Sequence, residues 1–422
     1  MKAIHVSKGR RRAMAEDRSP IIVSGHGENP ESGVRQGMAE ESSHERLMSG
    51  KSWEDFCDAL KGAGQTILAE GSPSSSLDRA EGFRYLSRLT RAALETFVEY
   101  ADPLAPVLRR PVHETVKIGA DNPDNYYQHA SLSGEYDYLI RGHRGTIHYL
   151  DFATQSEGVA SSGDSEQGGH LDSTTLEIDE DGRFEIQLSR EEKPGNWLRM
   201  TGNTNAIIVR QTYQDRESEV PADLTIERVG GDGRPTALTA ESLDQRLAQA
   251  SGLVVACSSL FSTWAQGFRA HSNALPKFDD AISMGAGGDP NICYYHSYWE
   301  LGPEDALVIE VMPPECESWN FQLDNHWMES LDYRFYKIHV NKYTAEYASD
   351  ASVRIVVAHE DPGVPNWINT VGHARGTMCF RWIRAKDHPQ PQTRVMKRSE
   401  VAGLAADCSP ESRSGSSAGS SQ

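Results

Sequence analysis

Short segments in which apolar and polar residues alternate fill two long stretches of this 422-residue chain, and they limit the folds open to it. The first stretch, residues 111–235, includes the segments EYDYLIRG, TTLEI and RFEIQL, with an Asp-Gly hairpin signal between the last two. The second, residues 281–386, includes YYHSYWEL, ALVIEVM and SVRIVVAHE. Alternation with a period of two is typical of strands that bury one face, so we predict two β-rich domains of the β-sandwich or jelly-roll type.

Apolar residues at helical spacing precede the first β-rich stretch and separate the two. Residues 51–110 are predicted to form an N-terminal helical segment. Residues 236–280 are predicted to form a helical linker, with one apolar stripe that runs from Leu243 to Phe268. The predicted fold class is therefore mainly β with α, with sandwich regions and two helical segments.

The ends of the chain and one internal segment have a different composition. Residues 1–50 and 387–422 are polar and rich in Gly and Ser, and we predict that both are disordered tails. The segment 156–172 is a similarly polar insertion, to which the sequence assigns no role.

Net charge and cysteine usage narrow the partners and the location. The formal net charge is −19, which disfavours nucleic acid and anionic membranes as partners. The N-terminus lacks the apolar core of a secretory signal, and no run reaches about 18 apolar residues. Six cysteines are scattered without a CxxC motif, so we expect a cytoplasmic protein with reduced thiols.

The segment Trp319–Trp327 carries the most informative set of polar residues. Read as one strand, it places Asn320, Gln322, Asp324 and His326 on a single face. These groups could orient a substrate, with His326 as the acid or base and Trp327, on the other face, stacking against it. A solvent-facing strand produces the same alternation, and that alternative stays open.

A second constellation lies in YYHSYWEL. Strand alternation aligns His296, Tyr298 and Glu300, which suggests a proton relay, or half of a metal site with His326 as a further ligand. A metal-free hydrogen-bond network is preferred, because no metal-binding motif accompanies these residues. We therefore expect His326, His296 and Glu300 to be catalytic, with no metal and no cofactor.

Other segments supply further candidates for substrate binding. Tyr126 and His129 lie in a turn-rich loop and could rim a pocket or cover a sheet edge. Arg210 interrupts an apolar strand, so we expect it to be buried with a carboxylate partner, either from the protein or from a substrate. Asn366 and Trp367 lie in a long loop, where they could bind a ligand or fix the loop itself.

The segments CESWNFQLDNHWMESLDYR and VRIVVAHEDPGVPNWINTVGHARGTMCFRW resemble the bacterial domain-of-unknown-function family 1214. The W-x-F-Q pattern of the family begins at Trp319, and its NW pair falls on Asn366 and Trp367. The resemblance covers roughly residues 290–385, and KIGADNPDNYYQHASLSGEYDYLIRG is similar to the N-terminal half of longer members. It implies jelly-roll sandwiches and does not imply a reaction.

The chain has no GxGxxG after a strand, no Walker A pattern and no GxSxG elbow, so nucleotide chemistry is not expected. We expect a small-molecule catabolic enzyme with acid–base chemistry, a lyase, isomerase or hydrolase, for an apolar or aromatic oxygenated substrate. The alternative is a non-catalytic module that binds carbohydrate or another small ligand. The polar faces could also form an interface between sandwiches or within a homo-oligomer. Deep burial of His326 would favour catalysis, and exposed Trp rings would favour binding.

Overall fold

The computed structural model describes residues 41–156 and 168–407, and the side chains as far as residue 404. From Ser42 onward these residues belong to one compact unit. The helices are α1 (Ser43–Ser49), α2 (Lys51–Leu68), α3 (Ser76–Leu94), α4 (Ala240–Phe268), α5 (Asp280–Gly285) and α6 (Arg398–Val401), with a π-helical turn at Glu95–Glu99 and 3-10 turns at Arg269–His271 and Ala402–Asp407.

Two sets of strands form the β structure. The first set is β1 (Asn125–Ser131), β2 (Tyr138–His143), β3 (Tyr149–Ser156), β4 (His170–Asp172), β5 (Arg183–Ser189), β6 (Trp197–Arg199), β7 (Thr204–Thr212) and β8 (Asp223–Arg228). The second set is β9 (Ile292–Glu300), β10 (Asp305–Val311), β11 (Ser318–Leu323), β12 (His339–Asn341), β13 (Val353–Ala358), β14 (Trp367–Asn369), β15 (Arg375–Ile383) and β16 (Gln392–Lys397).

Each set forms a sandwich of two four-stranded sheets. The N-terminal sandwich packs β1-β7-β3-β4 against β6-β5-β2-β8 over one apolar core that includes Ile140, Phe152 and Ile207. The C-terminal sandwich packs β12-β11-β15-β9 against β14-β13-β10-β16 over a core that includes Trp319 and Trp382. The predicted fold class, mainly β with α and built on sandwiches, is confirmed.

Local sequence patterns misled the prediction at three places. TTLEI is not a strand, because backbone donors in and beside it bond to side chains instead; the N–H of Glu177 donates to Asn196. The tail predicted from residue 387 contains β16, which pairs with β10 and adds an ion pair between Arg394 and Glu310. The other predicted tail contains α1, whose first turn is capped by Ser42. Most of the predicted insertion lies outside the described residues.

The helices form a third layer with a core of its own. Phe56 of α2, Leu89 of α3 and Phe261 of α4 pack together with Tyr298 and Trp327 of the C-terminal sandwich. Helix α4 runs through Gly252 without a break. By length and composition, Ala240–His271 is the one helix among the described residues that could cross a membrane, and 44% of its most apolar window is already buried against the protein.

The close contact between α3 and Trp327 gives a test of this packing. A Cβ atom added at Gly82 would lie 2.6 Å from Ile67 and 2.8 Å from the Trp327 ring, so we expect Gly82→Ala to destabilise the fold. Overpacking of this kind costs about 1–3 kcal/mol. The control Gly62→Ala lies in α2 with open space around it and should be neutral or stabilising by up to about 1 kcal/mol. Urea unfolding measures both, and equal stability of the two variants would contradict the packing.

Candidate functional site

One face of the sheet β12-β11-β15-β9 is polar and yet buried. Its other face carries Trp319, Phe321 and Phe380 into the sandwich core. The polar face turns toward the helices and the N-terminal sandwich. It carries Tyr294, His296, Tyr298, Asn320, Gln322, Thr377, Cys379 and Arg381. All but the half-buried Tyr294 are less than a tenth exposed. Polar groups removed from water need partners, so the contacts of this face define what it can do.

The guanidinium of Arg381 organises the centre of this face. It donates to the side-chain oxygens of Gln322 at 2.5 Å and Asn320 at 3.3 Å, and to the backbone oxygen of Ala120 at 2.6 Å. The amide of Asn320 donates in turn to Asp124, at 3.0 Å. Both predicted substrate-binding amides thus have protein partners, and their role toward a substrate stays a prediction.

Asp324 lies next to this network and is fully buried. Its Oδ1 accepts a 2.5 Å hydrogen bond from the amide of Gln322, and its Oδ2 lies 3.4 Å from the hydroxyl of Thr377. Burial raises the pKa of Asp324 to about 7, although the bond from Gln322 acts in the opposite direction. The carboxyl group therefore changes its charge near neutral pH.

His326 lies in the turn after β11 and not on the strand that the sequence analysis predicted. The strand ends at Leu323, and Asn325 then folds the chain by accepting the backbone N–H groups of Trp327 and Glu329. His326 is 1% exposed, and its Nδ1 lies 3.1 Å from the hydroxyl of Tyr298. Its Nε2 has no hydrogen-bonding partner in the part of the chain that the structure describes.

Burial, helped by the positive charges of Arg269 and Arg375, lowers the pKa of His326 to about 4. At neutral pH the imidazole is therefore uncharged. Its ring also packs edge-on against Trp327, with the ring centroids 4.8 Å apart. A buried, neutral imidazole with one nitrogen fixed and the other unused can accept or donate a proton.

Helix α3 holds the turn that carries His326. The indole of Trp327 donates to the backbone oxygen of Asp78, and the amide of Asn325 donates to Glu81 at 3.1 Å. Burial opposes the ionisation of Glu81, but His373 at 2.7 Å, together with Arg84 and Asn325, lowers the pKa of Glu81. Trp327, predicted to stack on a substrate, is instead part of the packing between this helix and the sheet.

His296 lies two residues before Tyr298 on β9 and is surrounded by aromatic rings. Its ring is parallel to those of Phe268 and Tyr294, at centroid distances of 5.8 Å and 5.6 Å, and Phe278 meets it edge-on. Burial and the charge of Arg381 lower the pKa of His296 to about 3. Its Nδ1 has no partner among residues 41–156 and 168–407.

The remaining predicted residues lie apart from this group. Glu300 is at the exposed end of β9, where it pairs with Arg375 at 3.2 Å, and its catalytic role stays a prediction. Asn366 donates to the backbone oxygens of Glu346 and Arg354 and fixes its loop.

Three other predicted residues also have protein contacts. Trp367 donates to the backbone oxygen of Ala358 on the outer sheet of the C-terminal sandwich. Tyr126 lies on β1, and the guanidinium of Arg110 stacks over its ring at 4.2 Å. Burial and the charge of Arg109 lower the pKa of His129 to about 3. None of these contacts involves His326 in the described part of the chain, and the roles of these residues toward a substrate stay predictions.

A second charged group lies where the two sandwiches meet. Arg210 is 8% exposed and bonds Asp151 at 3.0 Å and the backbone oxygen of Gly287 at 2.7 Å. Its carboxylate partner therefore comes from the protein, and its role toward a substrate stays a prediction. Asp151 also pairs with His170. Burial, together with the charge of Asp151, raises the pKa of Asp289.

Sequence reasoning missed Asp151, His170 and Asp289. They come from β3, from β4 and from the Gly-rich loop before β9, and no local spacing connects them. Each of the three side chains has one atom that could bind a metal ion, and these atoms lie within 4.8 Å of one another. Among residues 41–156 and 168–407, this is the one group of at least three His, Cys, Asp or Glu side chains with that geometry.

Known proteins resemble this chain in sequence and in fold. A family model described as "Protein of unknown function (DUF1214)" matches residues 306–387. The crystal structure of an uncharacterised protein from Burkholderia cenocepacia is 50% identical, with a TM-score of 0.82, and the match covers 84% of this chain and 99% of that chain. This chain belongs to the DUF1214 family.

A more distant structure, the VPA0106 protein from Vibrio parahaemolyticus, is 13% identical with a TM-score of 0.46, over 75% of this chain and 98% of that chain. Among curated proteins, none matches the chain. The DUF1214 segment contains Asp324, His326 and Arg381, whereas His296 and Tyr298 precede it. The polar face of this DUF1214 protein is therefore completed by residues outside the segment that defines the family.

The ionisation of Asp324 predicts a pH-dependent stability. The unfolded carboxyl group loses its proton near its ordinary pKa of 3.8, but the folded one keeps it up to about pH 7, so this group destabilises the fold as pH rises between those values. Asp324→Asn removes the effect, and the stability of the variant relative to the wild type should rise from pH 4 to pH 7 and then level off. Urea unfolding across that range measures the difference.

A matched exposed carboxylate provides the control for this measurement. Asp58→Asn, on the solvent side of α2, should follow the wild-type curve at every pH. Parallel curves for Asp324→Asn and the wild type would show that Asp324 ionises in the same way in the folded and unfolded chains.

Proposed function

We propose that this protein is a small-molecule enzyme that uses acid–base chemistry, with His326 as the group that exchanges a proton with the substrate. The observation that carries the proposal is the unused Nε2 of a buried, neutral His326 whose other nitrogen is held by Tyr298. General acid–base catalysis requires a side chain that is held in position and has a ring nitrogen or oxygen free to exchange a proton.

The hydrogen bond between Tyr298 and His326 sets which task Nε2 performs. If the phenol donates to Nδ1, then Nε2 carries the proton and can donate it to a carbonyl or leaving-group oxygen. If the phenol accepts from Nδ1–H, then Nε2 has a free lone pair and can remove a proton. Burial raises the pKa of Tyr298, so the phenol stays protonated and serves either arrangement.

The surroundings of the two histidines favour an apolar or aromatic substrate with a few oxygen atoms. The rings of Phe268 and Phe278 beside His296 supply apolar surface, and Arg381 is a fixed charge on the same sheet face. Lyase, isomerase or hydrolase reactions are compatible with a neutral imidazole and need no nucleotide. A mostly apolar composition with a few placed polar groups is typical of small-molecule sites.

A non-catalytic module that binds carbohydrate or another small ligand is the alternative. Its usual surface is shallow and lined by exposed aromatic rings, whereas Trp319 and Trp327 are 0% and 1% exposed, which supports the enzyme. The described cysteines are all unbridged, which is compatible with the proposed cytoplasmic location. We propose no nucleic-acid or membrane partner, and a homo-oligomer is compatible with this function.

Native mass spectrometry of the full-length protein, compared with a denatured sample, identifies any organic ligand that the protein retains. The chemical class of that ligand then selects the substrates to be assayed among aromatic and alicyclic alcohols, esters and enones. Against the substrate found, we expect His326→Gln to lower kcat by roughly 10²–10⁴-fold, because the proton-transfer group is lost. Wild-type activity should fall as pH is lowered toward 4, where His326 becomes charged.

The control variant is His359→Gln. His359 directly follows β13, in the sheet β14-β13-β10-β16 on the opposite side of the sandwich core, and bonds Thr370 at 2.8 Å. It should keep the wild-type kcat. Circular dichroism confirms that both variants fold. Unchanged turnover by a folded His326→Gln protein would exclude His326 as the acid or base, and saturable binding without any turnover would favour the alternative.

A further inference from the structure

Three potential metal ligands meet between the two sandwiches, apart from the polar face around His326. Asp151 and His170 lie on the same face of the sheet β1-β7-β3-β4, because residue 151 pairs with 172 and residue 153 with 170, which makes them diagonal neighbours. Asp289 reaches the same place from the loop before β9. One ligand atom from each lies within 4.8 Å of the other two.

Each carboxylate has one oxygen that bonds a group outside the three residues and a second oxygen that makes no such bond. Asp151 accepts from Arg210 at 3.0 Å through Oδ2, and Asp289 accepts from the backbone N–H of Asn291 at 2.8 Å through Oδ1. Asp151 Oδ1 faces only the imidazole of His170 among the described residues, and Asp289 Oδ2 has no partner among them. Outer contacts that orient the ligands in this way are typical of metal centres.

The unpartnered oxygen of Asp289 favours a cation. Asp151 and Asp289 are 0% and 2% exposed and carry two negative charges when ionised, whereas the nearby positive charges, on Arg210 and on His170 when it is protonated, both contact Asp151. A buried carboxylate oxygen without a partner is costly, and an ion pair between His170 and Asp151 would leave Asp289 Oδ2 in that condition. A divalent ion would contact both carboxylates at once.

We propose that Asp151, His170 and Asp289 bind a divalent first-row transition-metal ion. One imidazole nitrogen and two carboxylate oxygens are ligands that such ions accept, and three protein ligands leave coordination positions for water or for an oxygen atom of a small ligand. The ring of His170 is 26% exposed, so an ion can reach the site from solvent. The proposal does not depend on the function assigned to His326.

The test uses the full-length protein after treatment with a chelator. Titration with Zn²⁺ in a calorimeter should show one saturable ion per chain, and Co²⁺ should give a visible absorption band as it binds. Asp289→Asn is nearly isosteric and alters an oxygen that makes no hydrogen bond, so it should fold. We expect Asp289→Asn and His170→Gln each to weaken Zn²⁺ binding about tenfold or more.

Two controls separate this site from other binding. His148 is also partly exposed and also faces one carboxylate, Glu317 at 2.7 Å, so His148→Gln should bind Zn²⁺ as the wild type does. His326→Gln should do the same. The proposal is wrong if the wild type shows no saturable Zn²⁺ binding, or if Asp289→Asn and His170→Gln bind as tightly as His148→Gln.

Discussion

The buried charge of Arg381 is the interaction on which the polar sheet face depends. A guanidinium cannot lose its proton in a protein, so the fold must supply acceptors for a side chain that is 4% exposed. Two acceptors come from Asn320 and Gln322 on the neighbouring strand, and a third is the backbone oxygen of Ala120. The same two amides also bond the segment 121–124, which covers this sheet face. The charge of Arg381 therefore helps to hold β11 and β15 together and to fix that segment against them.

The dry surroundings that make Arg381 dependent on its partners also determine the ionisation of its neighbours. Burial lowers the pKa of His296 to about 3 and raises that of Asp324 to about 7, so both favour the uncharged form over a wider pH range. The charges of Arg381 and Arg210 both act to lower the pKa of Tyr127 and of Tyr294, against the larger effect of burial. The polar face and the charged group between the sandwiches are therefore neighbouring parts of one electrostatic environment.

The sequence predicted the parts of this arrangement that follow a local period. Alternation correctly placed Asn320 and Gln322 together on one face of β11, and Arg210 within an apolar strand correctly indicated a buried charge with a carboxylate partner. It failed after Leu323, because Asn325 ends the strand through its own side chain while the letters continue to alternate. The group of Asp151, His170 and Asp289 could not be read at all, since tertiary structure alone brings distant segments together.

The position of His326 depends on α3, a helix within the segment 51–110 that was predicted from its spacing without any role at the site. Asp78 and Glu81 of α3 bond Trp327 and Asn325, and Arg88 pairs with Glu329 at 2.6 Å, so three contacts hold both sides of the turn. A turn bound in this way has little freedom to move its imidazole, and Gly82 allows the helix to approach the Trp327 ring closely enough to bind it. The packing of α3 therefore also fixes the position of the His326 imidazole. A substitution that loosens this packing also displaces the imidazole.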